Sequence, residues 1–261
     1  MNFTDLRDLF AFNSQPSTST NALVRSIPIL GQNFDVDSGT VPETVWNVGG
    51  VYDFPTTATV ASIVSSSAQD TLATGTGAWY VLLEGLDSSY REQYESVAMN
   101  GLSTVTSANS YLRINSARVV YSGTNKANVG NITVTVNAKT VRYIEANESL
   151  DHTAVYTVPA DHTLFIMSTS HSVLKATTTI CTVVTKVYQP SVNSIFVTSP
   201  TIVGMGTPSS FLFHDRCYPR IPETSDYWFD VNYASTTNIE FSSTIRAMLV
   251  KDAFLPTYNY P

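Results

Sequence analysis
Along this chain apolar residues recur with a period of two, in short runs broken by turn residues. Between Asn131 and Val136, Ile132, Val134 and Val136 fall on one face and Thr133 and Thr135 on the other, the pattern of a half-buried antiparallel strand. Asn238 to Ala253 repeats it at greater length, with Ile239, Phe241, Ile245, Ala247 and Leu249 on one side and Glu240, Ser242, Thr244 and Arg246 on the other. Trp79-Tyr80-Val81-Leu82-Leu83 is a β-branched and aromatic run suited to a buried pleated surface. Shorter strands are predicted at Thr57–Ser65, Val141–Ile144, His152–Val158, Thr163–Ser170, Ile180–Tyr188, Ser194–Thr198, Phe211–Phe213 and Asp226–Tyr233. The centre of the pattern is Ala61–Gly123, which predicts a β-meander. Gly85–Ser89 is its first turn, Asn100-Gly101 a hairpin turn with both residues tolerant of positive φ, and an Asn/Ser turn precedes Tyr111.

Many short strands, few helical patterns and no βαβ alternation predict an all-β fold. The expected form is an antiparallel β-sandwich, jelly-roll-like or Greek-key, with extended N- and C-terminal arms. The expected division is an arm over residues 1–40, a sandwich domain over 41–254 and a C-terminal strap over 255–261. In the arm, Leu6, Leu9 and Phe10 share a face at i, i+3, i+4 spacing, followed by Phe12, and Ile27, Ile29 and Leu30 stand among Pro28 and Gly31 with no regular period. Such residues either strap the protein's own core or lie on a neighbouring subunit. Trp46, Tyr52 and Phe54 around Gly49-Gly50 are expected anchors for the arm, and Tyr258 and Tyr260 would reach another neighbour.

Composition narrows the class. Of 261 residues, 43% are hydrophobic and only 13% charged, so much of the surface is neutral and polar, which suits packing against other proteins. The formal net charge is -7, and the 14 Lys and Arg residues form no basic cluster, so direct nucleic-acid binding lacks its electrostatic footprint. No apolar run reaches the roughly 18 residues of a membrane span. The acidic N-terminus lacks the form of a secretory signal, so a soluble, intracellularly made protein is expected, with no membrane partner. Cys181 and Cys217 are the two cysteines, and free buried thiols are the simpler expectation for them.

Candidate chemistry is sparse. His152, His162, His171 and His214 fall in no zinc-binding spacing, and neither a nucleophile elbow nor a phosphate-binding glycine loop is present. Three weaker possibilities are open. His152 and His162, beside Asp151 and Asp161, would face each other across a strand–turn–strand, although solvated loop histidines explain them better. Asp226 and Asp230 share strand parity, as the two acids of a glycosidase do, and a solvated strand face explains them as well. Asp35-Val36-Asp37 offers oxygens for a hard cation. No catalytic, cofactor-binding or metal residue is assigned, and no cofactor is expected.

Ordered blocks carry a family likeness: GTVPETVWNVGGVYDFP (39–55), VSSSAQDTLATGTGAWYVLLEGLDSSYREQYESVAMNG (64–101), NSYLRINSARVV (109–120), NVGNITVT (128–135) and AVYTVPADHTLFI (154–166). Together they resemble a family of virion structural proteins of tailed bacteriophages, notably marine and cyanobacterial ones. The sequence departs from the family's usual Gly-Lys at Asp161-His162, where the turn would differ. The resemblance implies a non-enzymatic particle component located in the virion and assembled in the host cytoplasm. Its expected role is a capsid decoration or cement protein, self-associating (as a trimer at threefold positions) and bound to the major capsid protein or other virion proteins. The alternatives are a neck, tail or fibre-attachment component and, in another class, a carbohydrate-binding or depolymerase β-sandwich.

Overall fold
The computed structural model describes residues 24–175, 178–197, 201–204, 209–214 and 220–255, with only the backbone described over 209–214. Among these the regular elements are all strands, apart from one short 3-10 turn at Asp252–Phe254. Every strand pairing is antiparallel, in four sheets. The first sheet runs β1 (Val24–Val36), β18 (Ile239–Lys251), β11 (His162–Leu174) and β15 (Ser209–His214), with β16 (Arg220–Ile221) also on β11. The second runs β10 (Val155–Thr157), β17 (Asp226–Ala234), β12 (Cys181–Gln189) and β13 (Ser194–Val197), with β14 (Thr201–Val203) on β12 and β2 (Glu43–Thr44) on β17. The third is β6 (Val105–Tyr111), β3 (Thr59–Ser65), β8 (Ile132–Val136) and β9 (Lys139–Ile144), and the fourth β5 (Glu92–Ala98), β4 (Ala78–Leu86) and β7 (Arg113–Ser122).

This is a four-bladed, propeller-like arrangement rather than the two facing sheets of a jelly-roll sandwich. The reason lies in β17, which is buried over its first six residues in succession and so on both faces. Tyr227, Phe229 and Val231 pack into one core with Ile29, Leu164, Phe241 and Leu249 of the first sheet. Trp228 turns the other way, into a second core with Ile63, Leu83, Ile132 and Ile144 of the third and fourth sheets. A sheet covered on both sides needs continuous apolar sequence, and DYWFDV supplies it apart from two aspartates that carry their own partners.

Two expectations are corrected by chain path. The centre of the sequence is no simple meander: β4 pairs with β5 and β7, whereas β6 leaves to pair with β3 in another sheet. Asn100-Gly101 therefore turns the chain between sheets instead of closing a hairpin, with Gly101 at φ +58. The first turn also shifts: Gly85 and Leu86 remain strand, and Asp87 builds the turn by accepting hydrogen bonds from the amides of Ser89 (2.7 Å) and Arg91 (2.9 Å).

The larger correction is the arm. Val24–Val36 is a full strand of the first sheet, registered on β18 from Val24↔Val250 to Val36↔Ile239. Its period is hidden because the inward positions include Arg25, Gly31 and Asn33. Gly31 lies so close to its neighbours that a Cβ there would stand 2.4 Å from that of Ala154. Pro28 is tolerated on an exposed edge position, where no ladder amide is needed.

Candidate functional site: the closed polar junctions
The sequence blocks that carry the family likeness meet in the structure as loop crossings. Asp70 is the clearest. It is fully buried, and its carboxylate accepts four hydrogen bonds: from the Ser65 hydroxyl (2.5 Å) and from the amides of Ala78 (2.7 Å), Val129 (2.8 Å) and Gly130 (2.9 Å). One side chain thereby fixes the loop 66–77 to the loop 123–131, with all its lone-pair directions used. Gly77 is required beside it, because a Cβ would fall 2.1 Å from Asp70 Oδ1. Asn128 staples the same region, donating to the carbonyls of Gly130 (2.8 Å) and Glu145 (2.6 Å) and accepting from the Ser149 amide (3.0 Å).

A second junction ties β17 into the core of the third and fourth sheets. Trp46, Tyr52, Phe54 and Trp228 form a chain of edge-to-face rings with centroids 5.0, 4.8 and 5.2 Å apart. The Arg113 guanidinium lies 5.1 Å from the Phe54 ring centre. It also pairs in a fork with Asp226, at 2.9 Å to each oxygen, and donates to the Pro55 carbonyl (2.6 Å). Thr157 donates to the same carboxylate at 2.6 Å. Nearby, Asp230 accepts from Thr44 Oγ1 and Lys186 Nζ, both at 2.7 Å, and from the Trp228 indole at 3.3 Å. An open groove of about 550 Å³ runs past Tyr90, Tyr188 and Trp228 along this junction.

A third junction ties β1 to the fourth sheet at a cleft of about 190 Å³. Arg25 donates to Glu92 and, at 3.1 Å, to the Tyr94 hydroxyl, while Arg118 pairs with Glu84 at 2.8 Å. Burial raises the Glu84 carboxyl above its ordinary range, an effect its arginine opposes. On the far side of that cleft Asp151 is also pushed up by burial, against the pull of Arg142 at 3.5 Å.

The candidate acids and histidines do not converge. Asp226 and Asp230 stand four residues apart on one strand, which separates them by roughly 13 Å, beyond the carboxylate spacing of either glycosidase mechanism. His152 accepts at its carbonyl from the Gln32 amide, and Gln32 is level with Ser242. His162 is level with Lys251, nine residues along the same strand, so the two histidines lie roughly 30 Å apart. At Asp35-Val36-Asp37, Asp37 Oδ1 accepts from the Asn238 amide at 2.6 Å. Among the described residues no three His, Cys, Asp or Glu side chains gather as metal ligands would.

The expected interface residues move inward. Ile29, Trp46 and Tyr52 are buried in the protein's own cores, Ile27 and Phe54 pack half-buried against them, and Leu30 lines the Arg25 cleft. Ile27 and Ile29 are turned inward by the strand at Val24–Val36, and Trp46, Tyr52 and Phe54 fill the core of the third and fourth sheets, so these five are corrected from subunit contacts to internal ones. Leu6, Leu9, Phe10, Phe12, Tyr258 and Tyr260 lie outside the described residues, as does Cys217. Cys181 is a buried free thiol whose pKa burial pushes up to about 11. Not foreseen from the sequence were the partners of the buried acids, Ser65 for Asp70 and Arg113 for Asp226, nor the backbone groups that Asn128 ties together.

No protein-family model matches the chain, and no curated protein matches it. Among solved structures it is similar to a chain of the structure of infectious bursal disease virus Gt strain, at 11% identity over 95% of this chain and 76% of that one, with a TM-score of 0.26. It is similar too to a chain of the infectious bursal disease virus VP2 subviral particle, at 10% identity over 94% and 76%, with a TM-score of 0.24. Likenesses this distant transfer no function from those chains to this one.

Proposed function
We propose that this chain is a non-enzymatic structural component of a tailed-bacteriophage virion, serving as a decoration or cement protein on the outside of the shell. The observation that carries the reading is the fate of the family-like blocks. Their polar residues Asp70, Arg113 and Asn128 are spent on closing the chain upon itself, which is the chemistry of a scaffold. A weakly charged, neutral-polar exterior suits a protein whose partners are other proteins. The depolymerase alternative is disfavoured because neither of its two candidate pairs converges.

The test is copy number per particle, by quantitative mass spectrometry of purified virions against the major capsid protein. Hundreds of copies, near parity with the shell protein, support decoration or cement. About a dozen would move the chain to the neck, tail or fibre attachment. Absence from purified particles overturns the virion reading.

A further inference from the structure
The stretch from Val187 to His214 holds no Asp, Glu, Lys or Arg, in a chain that carries 14 Lys and Arg and 21 Asp and Glu. Within it lies the outer edge of the second sheet. β13 pairs with the C-terminal half of β12 and β14 with its start. All four residues of β13, Ser194 to Val197, are exposed, so both faces of the strand meet solvent. Fifteen large apolar side chains are exposed among the described residues. Five of them fall within the eleven residues 192–202: Val192 (56%), Ile195 (57%), Phe196 (51%), Val197 (56%) and Ile202 (60%). No other stretch of that length exposes as many among the described residues.

Edge strands are ordinarily blunted by charge, and several other edges of this molecule follow that practice or are polar, although β14 and β15, in the same uncharged stretch as β13, carry no charge either. Glu95 lies on β5, Arg118 on β7 and Lys139 on β9, β6 shows hydroxyl and amide groups, and the β1 edge is tied to β5 through Arg25 and Glu92. β13 has neither safeguard. Its strand pairs with β12 on one side only, so its outer row of amides and carbonyls has no strand partner among the described residues.

We propose that β13 is a homotypic interface, at which a second copy of this chain adds its own β13 edge to edge, antiparallel about a two-fold axis, extending the second sheet across two molecules. An antiparallel edge is complementary to itself under a two-fold, so identical copies satisfy each other's backbone groups. Ile195 and Val197 on one face and Phe196 on the other then leave water together. Charge selects this occupant. Two uncharged edges meet without repulsion. The charge level with Val197, Lys186, is already held by Asp230 at 2.7 Å, so Asp5, Arg7 and Asp8 of the chain's own N-terminal segment would come to a patch whose adjacent charge is spent. The proposal names a contact within the virion reading but stands on the edge itself.

Sedimentation of the purified full-length chain from about 1 to about 100 µM tests it. The expected result is a mass rising from monomer to dimer or beyond. Ile195→Asp and, separately, Val197→Lys should each weaken association about a hundredfold, because each puts a charge, doubled by the two-fold, into an apolar seam. Circular dichroism verifies that these exposed-site variants keep their strands. Hydrogen exchange should show the amides of residues 194–197 protected at high concentration only. A wild-type chain that stays monomeric throughout overturns the proposal. So does an oligomer indifferent to both charged variants, or one abolished only by removing residues 1–23. A chain that dimerises through β13 but is missing from virions would sink the virion reading and leave this interface standing. A chain abundant in virions yet monomeric would do the reverse.

Discussion
The loop crossing at Asp70 and the edge at β13 distribute polarity in opposite senses. At the crossing, a charge is buried completely and four donors converge on it. At the edge, Ile195, Phe196 and Val197 are each more than half exposed and no charge stands near them in sequence. The pattern extends beyond these two places, since Arg25, Glu43, Arg113, Arg142, Asp151, Asp226 and Asp230 are all buried as well. Four small sheets expose many loop ends, and charge-assisted bonds are the strongest directional ties available to hold them. Only 13% of the chain is charged, so each charge fixed inside is one fewer for the surface.

The comparison breaks most violently at Asp70. Asp70→Ala would leave the Ser65 hydroxyl and the amides of Ala78, Val129 and Gly130 buried without an acceptor. At roughly 1–3 kcal/mol for each orphaned donor, the expected loss is at least about 4 kcal/mol, comparable with the whole stability of many domains. Urea unfolding of the variant, if it can be purified folded at all, measures this. A loss under about 1 kcal/mol would mean that water reaches the crossing and the carboxylate is no keystone.

Next in size is the fork between Arg113 and Asp226. Removing either partner strands a buried charge, so Asp226→Leu and Arg113→Met should each cost about 3–5 kcal/mol. The double variant should recover a good part of that, because two apolar groups need no partner. The three unfolding midpoints, compared as a double-mutant cycle, distinguish a coupled pair from two independent losses.

How much of this was legible beforehand depends on what each residue answers to. The period-two stretches at Ile132–Val136 and Ile239–Lys251 were visible because one face of each meets a core and the other does not. β1 was invisible for the opposite reason. Its inward positions include Arg25, Gly31 and Asn33, whose partners Glu92 and Ala154 come from distant segments and Glu43 from the loop beyond the strand. Local sequence cannot announce a partner 67 residues away, as Glu92 is from Arg25. Asp226 and Asp230 had their shared parity read correctly and their purpose misread, since Arg113 and Lys186 that claim them are supplied by other strands. β13 was legible as a strand, while its exposure was not, because an apolar run looks the same in a core and on an edge.

A buried group that stays uncharged gives a smaller, pH-dependent test. His171 packs between Phe229 and Phe241, with ring centres 5.3 and 5.9 Å away, and its Nδ1 shares a hydrogen bond with Ser243 at 2.7 Å. Burial lowers its pKa from 6.5 to about 4. The unfolded chain therefore takes up a proton near pH 6.5 that the folded chain refuses until about pH 4. The associated stability is complete above pH 6.5 and is lost as pH falls toward 4, by about 3 kcal/mol in all. Urea midpoints measured from pH 7.5 down to 4.5 should fall more steeply for the wild type than for His171→Gln.

The smallest expected effect sharpens the comparison most. Phe196→Ser removes a large apolar side chain, which in either core would cost about 3–5 kcal/mol. At β13 the ring is already 51% exposed, so the monomer should lose no more than about 0.5 kcal/mol. The measurement has to be made well below the self-association range, because a bound second copy stabilises the folded state by mass action and would make an interface loss look like a folding loss. If dilution erases the difference between wild type and Phe196→Ser while concentration restores it, the ring contributes to association and not to the fold. A concentration-independent loss of several kcal/mol would instead place Phe196 against its own chain, and the contrast between a fixed interior and an unguarded edge would fail there.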